Sequence, residues 1–399
     1  MKRIVIVGAS LAGLCTARAL RAHGFDGELV LAGAEAHRPY DRPPLSKEFL
    51  AGQYTEEDLT LEGGGEDLSA RWLLGRAATG LDPVTRTVRL DGGATLRADG
   101  IVLATGAVAR ELPGHTRTGR PPGMHTLRTL EDARALRADL TSARRLVIVG
   151  AGFIGAEVAS TARAMGVDVT VVEALPTPLA GPLGIAMGAT VAALHAEHGT
   201  TLICGAGVDR VTAGGAGGTE RVDGVLLRGG RHLPADVVVV GVGSRPAVDW
   251  LAGSGLTVEG GVHCDAHGAT GAPGIVAVGD CASWYDPDLG VHHRIEHWTS
   301  ARERARTAAA TLLGAAPPAP APAYFWSEQY GARIQFAGHA LPGDDVSIED
   351  GDVAGRSFLA VYRRPGPSGR PVAVLGMNRT PAFSRWRRRL AAPLPLEAP

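Results

Sequence analysis

The feature that most constrains this chain is a glycine turn of the form GxGxxG, placed between an apolar run and an amphipathic stretch. The turn uses Gly150, Gly152 and Gly155, and the run before it, residues 146–149, is typical of a parallel strand buried on both faces. The stretch after it predicts a helix, and residues 168–172 predict the next strand. The three glycines permit a tight turn, a close approach to a pyrophosphate, and close packing of helix on strand.

The same plan occurs at the start of the chain. Residues 3–7 form an apolar run that ends at glycines, and these are predicted to open a helix that continues to about Ala22. Ser10 replaces the middle glycine, so a β-carbon stands where a phosphate would approach most closely. Two such units predict an α/β protein with two Rossmann-like dinucleotide-binding domains.

Acidic residues follow the second strand of each unit. Glu173 lies 23 positions after Gly150 and can accept hydrogen bonds from an adenosine ribose. Its charge repels a 2′-phosphate, and residues 174–177 contain no Arg or Lys, so NADH is favoured over NADPH. In the first unit the candidate is Glu35, although Ala34 occupies the more usual place at the strand end.

Two dinucleotide sites in one chain indicate two different dinucleotides, because a hydride must pass between them at contact distance. FAD and NADH are the natural pair. Residues 274–278 predict a strand that places Gly279 and Asp280 at the carboxyl edge of the first sheet. There Asp280 can bind the ribityl chain of a flavin, or it can cap a helix.

Two further apolar runs, residues 101–106 and 237–243, bracket the second glycine unit, and this order predicts an inserted second domain. We expect FAD-binding segments at residues 1–112 and 244–318, an NAD-binding domain at 113–243, and a small α+β domain at 319–399. A proline-rich linker, residues 315–323, precedes strand-like runs at 333–336 and 358–362.

Composition narrows the classes of partner. Forty basic and 41 acidic side chains give a formal charge of −1, which predicts no general attraction to nucleic acid or an acidic membrane. No apolar stretch is long enough to span a membrane. The four cysteines, Cys15, Cys204, Cys264 and Cys281, form no CxxC pair, which favours a reducing, cytoplasmic setting. No metal site is predicted, even around the nearby histidines His292, His293 and His297.

Several separated motifs together resemble one family. They are PPLSK at residues 43–47, both glycine turns, LATG at 103–106, AVGDCA at 277–282, IEHW at 295–298 and FWSEQY at 325–330. In this order, and over nearly the whole chain, they are similar to the FAD-dependent ferredoxin reductases of bacterial oxygenase systems. The resemblance implies a glutathione reductase-like fold with FAD and NADH as cofactors. It also implies electron transfer from NADH through FAD to a 2Fe–2S ferredoxin that serves an oxygenase.

The turns, the strand ends and the resemblance together give the candidate site residues. The candidates for FAD are Gly8, Ser10, Leu11, Ala12, Gly13, Glu35, Arg42, Lys47, Ala78, Ala104, Thr105, Gly106, Arg128, Gly279, Asp280, Glu296, His297, Trp298 and Trp326. The candidates for NADH are Gly150, Gly152, Phe153, Ile154, Gly155, Glu157, Glu173, Gly241 and Gly243.

The resemblance assigns the catalytic role to two of these residues. Lys47 and Glu157 fall where a lysine and an acid pair beside the nicotinamide, and a buried lysine needs such a partner. The helix that begins at Trp298 is expected to point the positive end of its dipole toward the flavin. Trp326 either packs against the flavin ring or belongs to the hydrophobic core. Gly181 departs from the family pattern, since an arginine commonly stands there, and NADH affinity is therefore expected to be low.

Other functions remain open from the sequence. A disulfide reductase or NADH oxidase shares the fold but uses a cysteine near the flavin, and residues 41–50 contain Ser46 and no cysteine. A redox-sensing scaffold, like apoptosis-inducing factor, uses basic surface. The dense basic run from Arg385 to Arg389 is compatible with a solvated helix end, a nucleic-acid contact or a dock for an acidic ferredoxin.

Overall fold

The computed structural model describes residues 1–114, 119–214, 220–319, 321–367 and 369–391. The chain forms two units, each assembled from three separate segments. The first unit comprises Met1–Asp41, Leu59–Val108 and Ser244–Ala323. The second unit comprises Arg42–Asp58, Ala109–Gly243 and Tyr324–Pro399. The domain boundaries expected from the sequence stay predictions.

The first unit is built on a parallel sheet of apolar strands. In Arg3–Val7 the four residues after Arg3 are buried, as expected for a strand covered on both faces. Val7 lies opposite both Ala32 and Leu103 on the neighbouring strands. The predicted strand before Gly279 is confirmed, since it pairs at the sheet edge. The order across the sheet is Ile275–Ala277, Gly100–Leu103, Arg3–Val7, Glu28–Gly33 and Ala70–Leu74.

Two helices and two small sheets complete the first unit. The helices are Leu11–Ala22 and Trp298–Leu313, and both contribute to the core of the parallel sheet. One antiparallel sheet contains Ala78–Asp82, Thr87–Leu90 and Thr95–Arg97. The other small sheet contains Val262–Cys264, Ala282–Asp286 and Val291–His293. Short 3-10 helices are Asp91–Gly93, Asp249–Leu251 and Gly279–Cys281.

The second unit repeats the strand, turn and helix plan. Its parallel sheet runs in the order Thr201–Ile203, Asp168–Val172, Arg145–Val149, Val237–Val240 and Met124–His125. The predicted helix after Gly152 is Phe153–Ala164. The other helices of this part are Leu130–Leu140, which starts in a capping box at Thr129, and Ala180–Glu197, which bends at Gly184. An antiparallel sheet not predicted from the sequence contains Val208–Gly214, Arg221–Leu227 and His232–Pro234.

The last segment of the chain forms an antiparallel sheet with one helix, as the α+β prediction requires. The sheet order is Tyr324–Gln329, Ala332–Gly338, Pro371–Met377, Ser357–Arg363 and Asp345–Asp352. Helix Thr380–Ala391 buries Phe383 against this sheet. The predicted linker at 315–323 forms no helix or strand over its described residues after Gly314, and Pro320 lies outside them.

Short elements lie where the chain passes between the segments of the two units. The strands there are Ala107–Ala109 and Ser244–Pro246, and the 3-10 helices are Pro43–Ser46 and Glu57–Leu59.

Candidate functional site

The first glycine turn has no space for a side chain at Gly8 or Gly13. Gly8 has φ +120°, and a β-carbon there would lie 2.0 Å from the carbonyl oxygen of Ala104. A β-carbon on Gly13 would lie 1.9 Å from the carbonyl oxygen of Gly8. The strand before the turn and the helix after it therefore pack backbone to backbone. The first-turn N–H groups of that helix are the kind of donors that hold a phosphate.

The carboxyl ends of the parallel strands bring other candidates to the same edge. The register places Ala32, Val7, Leu103 and Ala277 in one row, so Glu35, the Gly8 turn, Thr105 and Asp280 all follow strands that end side by side. Ligands of open α/β sheets bind outside this edge.

Glu35 is half-buried at this edge and accepts a hydrogen bond of 2.5 Å from the Tyr40 hydroxyl. Ala34 is exposed beside it. The hydroxyl of Thr105 donates to the carbonyl oxygen of Ala247 at 2.7 Å. The edge therefore offers one carboxylate whose position is fixed by a tyrosine.

The Asp280 turn closely approaches the first helix. Gly279 has φ +75°, and a β-carbon on it would lie 2.9 Å from the Cβ of Ala12. The carbonyl oxygen of Asp280 accepts a hydrogen bond of 3.2 Å from Arg294. A glycine is thus required where the chain before Asp280 approaches helix Leu11–Ala22.

The IEHW motif lies at the start of helix Trp298–Leu313. Glu296 accepts a hydrogen bond of 2.6 Å from the Ser244 hydroxyl and forms an ion pair with Arg294. His297 is the N-cap residue, and its burial lowers the pKa of the imidazole to about 4. The indole N–H of Trp298 donates to Asp41 at 2.7 Å, a partner that the sequence analysis did not name.

The second glycine turn combines close packing with open space. A β-carbon on Gly150 would lie 2.3 Å from the carbonyl oxygen of Gly241, and one on Gly155 would lie 2.2 Å from that of Gly150. At Gly152, by contrast, the described residues place no atom within 4 Å of such a β-carbon. The middle glycine therefore faces space that a pyrophosphate can enter.

Glu173 is anchored by the backbone around this turn. Its Oε2 atom accepts a hydrogen bond of 2.8 Å from the N–H of Ala151, and its Oε1 atom accepts one of 2.9 Å from the N–H of Leu175. Both bonds hold the carboxylate beside the glycine turn, where a ribose diol would meet it.

Lys47 and Glu157 form a buried ion pair within the second unit. Lys47 Nζ lies 2.9 Å from Glu157 Oε2, and the two side chains are only 14% and 8% exposed. The Ser46 hydroxyl donates to the same oxygen at 2.5 Å, and the Ser327 hydroxyl donates to Oε1 at 2.7 Å. The structure thus brings the two predicted catalytic residues together and adds two serines that the sequence analysis missed.

Two further candidates lie close together in the second unit. The Arg42 guanidinium donates to the carbonyl oxygen of Arg128 at 2.5 Å.

Trp326 is half-buried on the face of strand Tyr324–Gln329 opposite Ser327, and its ring stacks with that of Tyr324 at 6.0 Å. The place of Trp326 beside a flavin stays a prediction.

The remaining candidates occupy strand ends and helix starts. Leu11 and Phe153 begin the two helices that follow the glycine turns, and Ile154 is 44% exposed. The others are Ala78 at a strand start, buried Ala104, and Gly106, Gly241 and Gly243 in the turns after parallel strands.

The cysteines do not offer a reactive thiolate. Cys15, Cys264 and Cys281 are buried, and all four cysteines are free. Burial raises the pKa of each thiol, that of Cys264 to about 12. A thiol relay is therefore disfavoured.

Among the described residues, no group of three His, Cys, Asp or Glu side chains is placed to hold a metal ion. Over the same described ranges, no helix has the length and apolar character that crossing a membrane requires.

Comparison with family models gives two matches. Residues 2–305 match the model described as pyridine nucleotide-disulphide oxidoreductase, and residues 324–398 match the one described as reductase C-terminal.

Characterised relatives match over most of their length. The chlorobenzene dioxygenase ferredoxin reductase component of Cupriavidus sp. (strain PS12) is 42% identical over 375 residues, which are 93% of this chain and 88% of that protein. The biphenyl dioxygenase system ferredoxin–NAD(+) reductase component of Paraburkholderia xenovorans (strain LB400) is 38% identical over 373 residues, with 93% and 86% covered. The crystal structure of the covalent putidaredoxin reductase–putidaredoxin complex matches with a TM-score of 0.92 and 34% identity, covering 98% of this chain and 93% of that one.

Proposed function

Because the chain belongs to the pyridine nucleotide-disulphide oxidoreductase family, we propose that it transfers electrons from NADH through FAD to a 2Fe–2S ferredoxin that serves an oxygenase. The resemblance drawn from the motifs is confirmed by these relatives. The observation that carries the function is the presence of two glycine turns in one chain, each with an acid after its second strand. When bound, FAD supplies a ring that accepts two electrons from NADH and releases them one at a time.

The residues of the first unit fit a flavin dinucleotide. The turn at Gly8 has the close packing that a pyrophosphate site requires, and the helix after it presents its N-terminus. We assign Glu35 to the adenosine ribose and Asp280 to the ribityl chain, since both follow strands at this edge.

The residues of the second unit fit a nicotinamide dinucleotide. The open space over Gly152 admits the pyrophosphate, and Glu173 accepts the ribose hydroxyls while repelling a 2′-phosphate. The Lys47–Glu157 pair aligns the nicotinamide end. Because Gly181 supplies no cation near the nucleotide, we expect modest affinity for NADH.

The ferredoxin partner is supported by the names of the relatives, two of which are ferredoxin reductase components of dioxygenase systems. We assign its dock to helix Thr380–Ala391, where Arg385, Arg388 and Arg389 are exposed. We also infer that the protein works in the cytoplasm, where thiols such as its four free cysteines stay reduced.

Anaerobic titration tests this function. The purified protein is expected to be yellow, to lose its flavin absorbance on addition of NADH, and then to reduce an added 2Fe–2S ferredoxin. Protein that takes up no flavin, or that is bleached by NADH but reduces only oxygen, contradicts the proposal. Rapid oxygen consumption without ferredoxin would identify an oxidase instead.

A further inference from the structure

The first strand of the C-terminal sheet lies along the helix that follows the second glycine turn. The ring of Phe325 lies 4.7 Å from that of Phe153, and the N–H of Tyr330 donates to the Ser160 hydroxyl at 2.7 Å. Between these two contacts, the Ser327 hydroxyl donates to Glu157. Strand Tyr324–Gln329 buries every second residue, so its inner face meets the helix side that carries Glu157.

The hydroxyl of Ser327 has a defined orientation. Ser327 is fully buried and Gln329 is 1% exposed. The side-chain amide of Gln329 donates to Ser327 Oγ at 3.1 Å, so the serine proton is left for Glu157 Oε1. Gln329 and Ser327 therefore form a short relay of hydrogen bonds that ends on the carboxylate.

The second oxygen of Glu157 is held from another segment. Oε2 faces Lys47 and Ser46, and the backbone carbonyl of Ser46 accepts a hydrogen bond of 2.8 Å from Thr161, one helical turn after Glu157. With donors on both oxygens, the plane of the carboxylate is fixed. Removal of the Oε1 donor leaves a buried acceptor unsatisfied and frees the carboxylate to rotate away from Lys47.

We infer that Ser327, oriented by Gln329, is a positioning residue that holds Glu157, and through it Lys47, in the geometry that hydride transfer requires. This inference rests on the proposed function. It makes the C-terminal segment part of the redox site, in addition to any role in docking. Because small misplacements of aligned groups slow reactions strongly, the effect falls on the rate more than on binding.

The variant Ser327→Ala tests this assignment. We expect the rate of flavin reduction at saturating NADH, measured by anaerobic stopped flow, to fall about tenfold. The dissociation constant for NAD⁺, measured by calorimetry, is expected to change less than about twofold, because the dinucleotide is held mainly at the glycine turn. Ser160→Ala is the matched control, since it removes a hydrogen bond from the same helix to Tyr330, the residue that follows the strand, without touching Glu157.

A double-mutant cycle shows whether Ser327 acts through Glu157. In a Glu157→Gln background the further change Ser327→Ala is expected to slow the reaction less than about twofold. Ser327→Thr keeps the hydroxyl and is expected to retain most of the wild-type rate. Flavin content and thermal unfolding verify that each variant folds.

Three outcomes overturn the assignment: an unchanged rate in Ser327→Ala, an equal loss in Ser160→Ala, or an undiminished loss in the Glu157→Gln background. A wild-type protein whose flavin NADH fails to reduce would instead contradict the proposed function.

Discussion

The lysine of the PPLSK motif lies in a place where an isolated ammonium would be costly. Lys47 is 14% exposed, and its partner Glu157 is 8% exposed. Charged side chains buried to this extent are stable only when they are paired and hydrogen-bonded. The hydroxyls of Ser46 and Ser327 donate these hydrogen bonds to Glu157. Together with Lys47, the four side chains form one polar cluster.

Replacing the lysine tests this cluster. In Lys47→Met the carboxylate keeps its two serine donors but loses its cation, so we expect flavin reduction by NADH to slow at least about tenfold. The free energy of unfolding should fall by roughly 3 kcal/mol, as for other broken buried pairs. Stopped-flow absorbance and urea denaturation measure the two effects. Lys2→Met, at an exposed lysine, is the control, and an unchanged reduction rate would remove Lys47 from the mechanism.

At the residue scale, the family resemblance predicted a contact that the structure contains. Lys47 and Glu157 were paired in advance through the family resemblance, although 110 positions separate them. Ser327 was visible only as part of FWSEQY, and a serine in a strand gives no local sign of what it faces. Its partner lies 170 positions away, a distance that only the folded chain reveals.

At the scale of elements, the glycine turns set how closely helix and strand can approach. Gly13 shows this most clearly, because its position relative to the Gly8 carbonyl excludes any side chain. The absence of space for a side chain thus depends on the positions of both glycines in the turn.

The variant Gly13→Ala should therefore separate helix Leu11–Ala22 from its strand. We expect a loss of about 3 kcal/mol in unfolding free energy, since backbone atoms must move to admit a methyl group. Flavin content, measured by absorbance after purification, should fall with it. Gly64→Ala is the control, because the described residues leave open space around that glycine and its φ is not positive. Equal stability of the two variants would refute the packing argument.

Helix Thr380–Ala391 divides the basic cluster between two environments. Arg385 and Arg388 are exposed, while Arg387 lies over the Tyr324 ring at 4.3 Å. Only the exposed arginines are available to an acidic partner.

We expect the double variant Arg385→Gln with Arg388→Gln to raise the KM for ferredoxin about fivefold at low salt, because long-range attraction guides the encounter. The difference should shrink as salt increases. Steady-state ferredoxin reduction at several ionic strengths measures both effects. The double variant Arg228→Gln with Arg231→Gln removes equal charge from other exposed positions. An equal change in that control would place the dock elsewhere.

Among elements, apolar strands between glycines were the most predictable. Arg3–Val7, Arg145–Val149 and Val237–Val240 appear where the runs indicated, because burial on both faces demands unbroken apolar sequence. The hairpin strands Val208–Gly214 and Arg221–Leu227 were missed. Their exposed faces carry polar residues and glycine, so no continuous run marks them.

At the scale of the whole molecule, stability depends on histidines buried without charge. Burial lowers the pKa of His195 and that of His297 to about 4, against an ordinary value of about 6.5. The unfolded chain binds protons at these sites before the folded one does. Their contribution is therefore complete above pH 6.5 and is lost as the pH falls toward 4.

The unfolding free energy should accordingly fall between about pH 7 and pH 5, by up to roughly 1.4 kcal/mol per pH unit for each histidine once the pH is below 6.5. Urea denaturation across this range measures the slope. His195→Asn should flatten it, while His232→Asn, at an exposed histidine, should not. A slope unaltered by His195→Asn would assign the pH dependence to other groups.

At the scale of the whole chain, the two apolar runs that bracket the second glycine turn predict an insertion, and its boundaries stay predictions. In the structure, the chain passes from the first unit to the second after Val108 and returns to the first at Ser244. That residues 42–58 belong to the second unit was not predicted, although the expected pairing of Lys47 with Glu157 points to it.

The parallel sheet of the first unit uses strands drawn from residues 3 to 277, whereas that of the second uses strands from residues 124 to 240. During synthesis the ribosome therefore releases the last strand of the second sheet before Ile275–Ala277, which completes the first. The first parallel sheet therefore has an unpaired edge at Gly100–Leu103 until Ile275–Ala277 is made, whereas the second parallel sheet already has all its strands. A nascent chain stalled between these two points would carry one finished sheet and one exposed edge, which is where a chaperone would be needed.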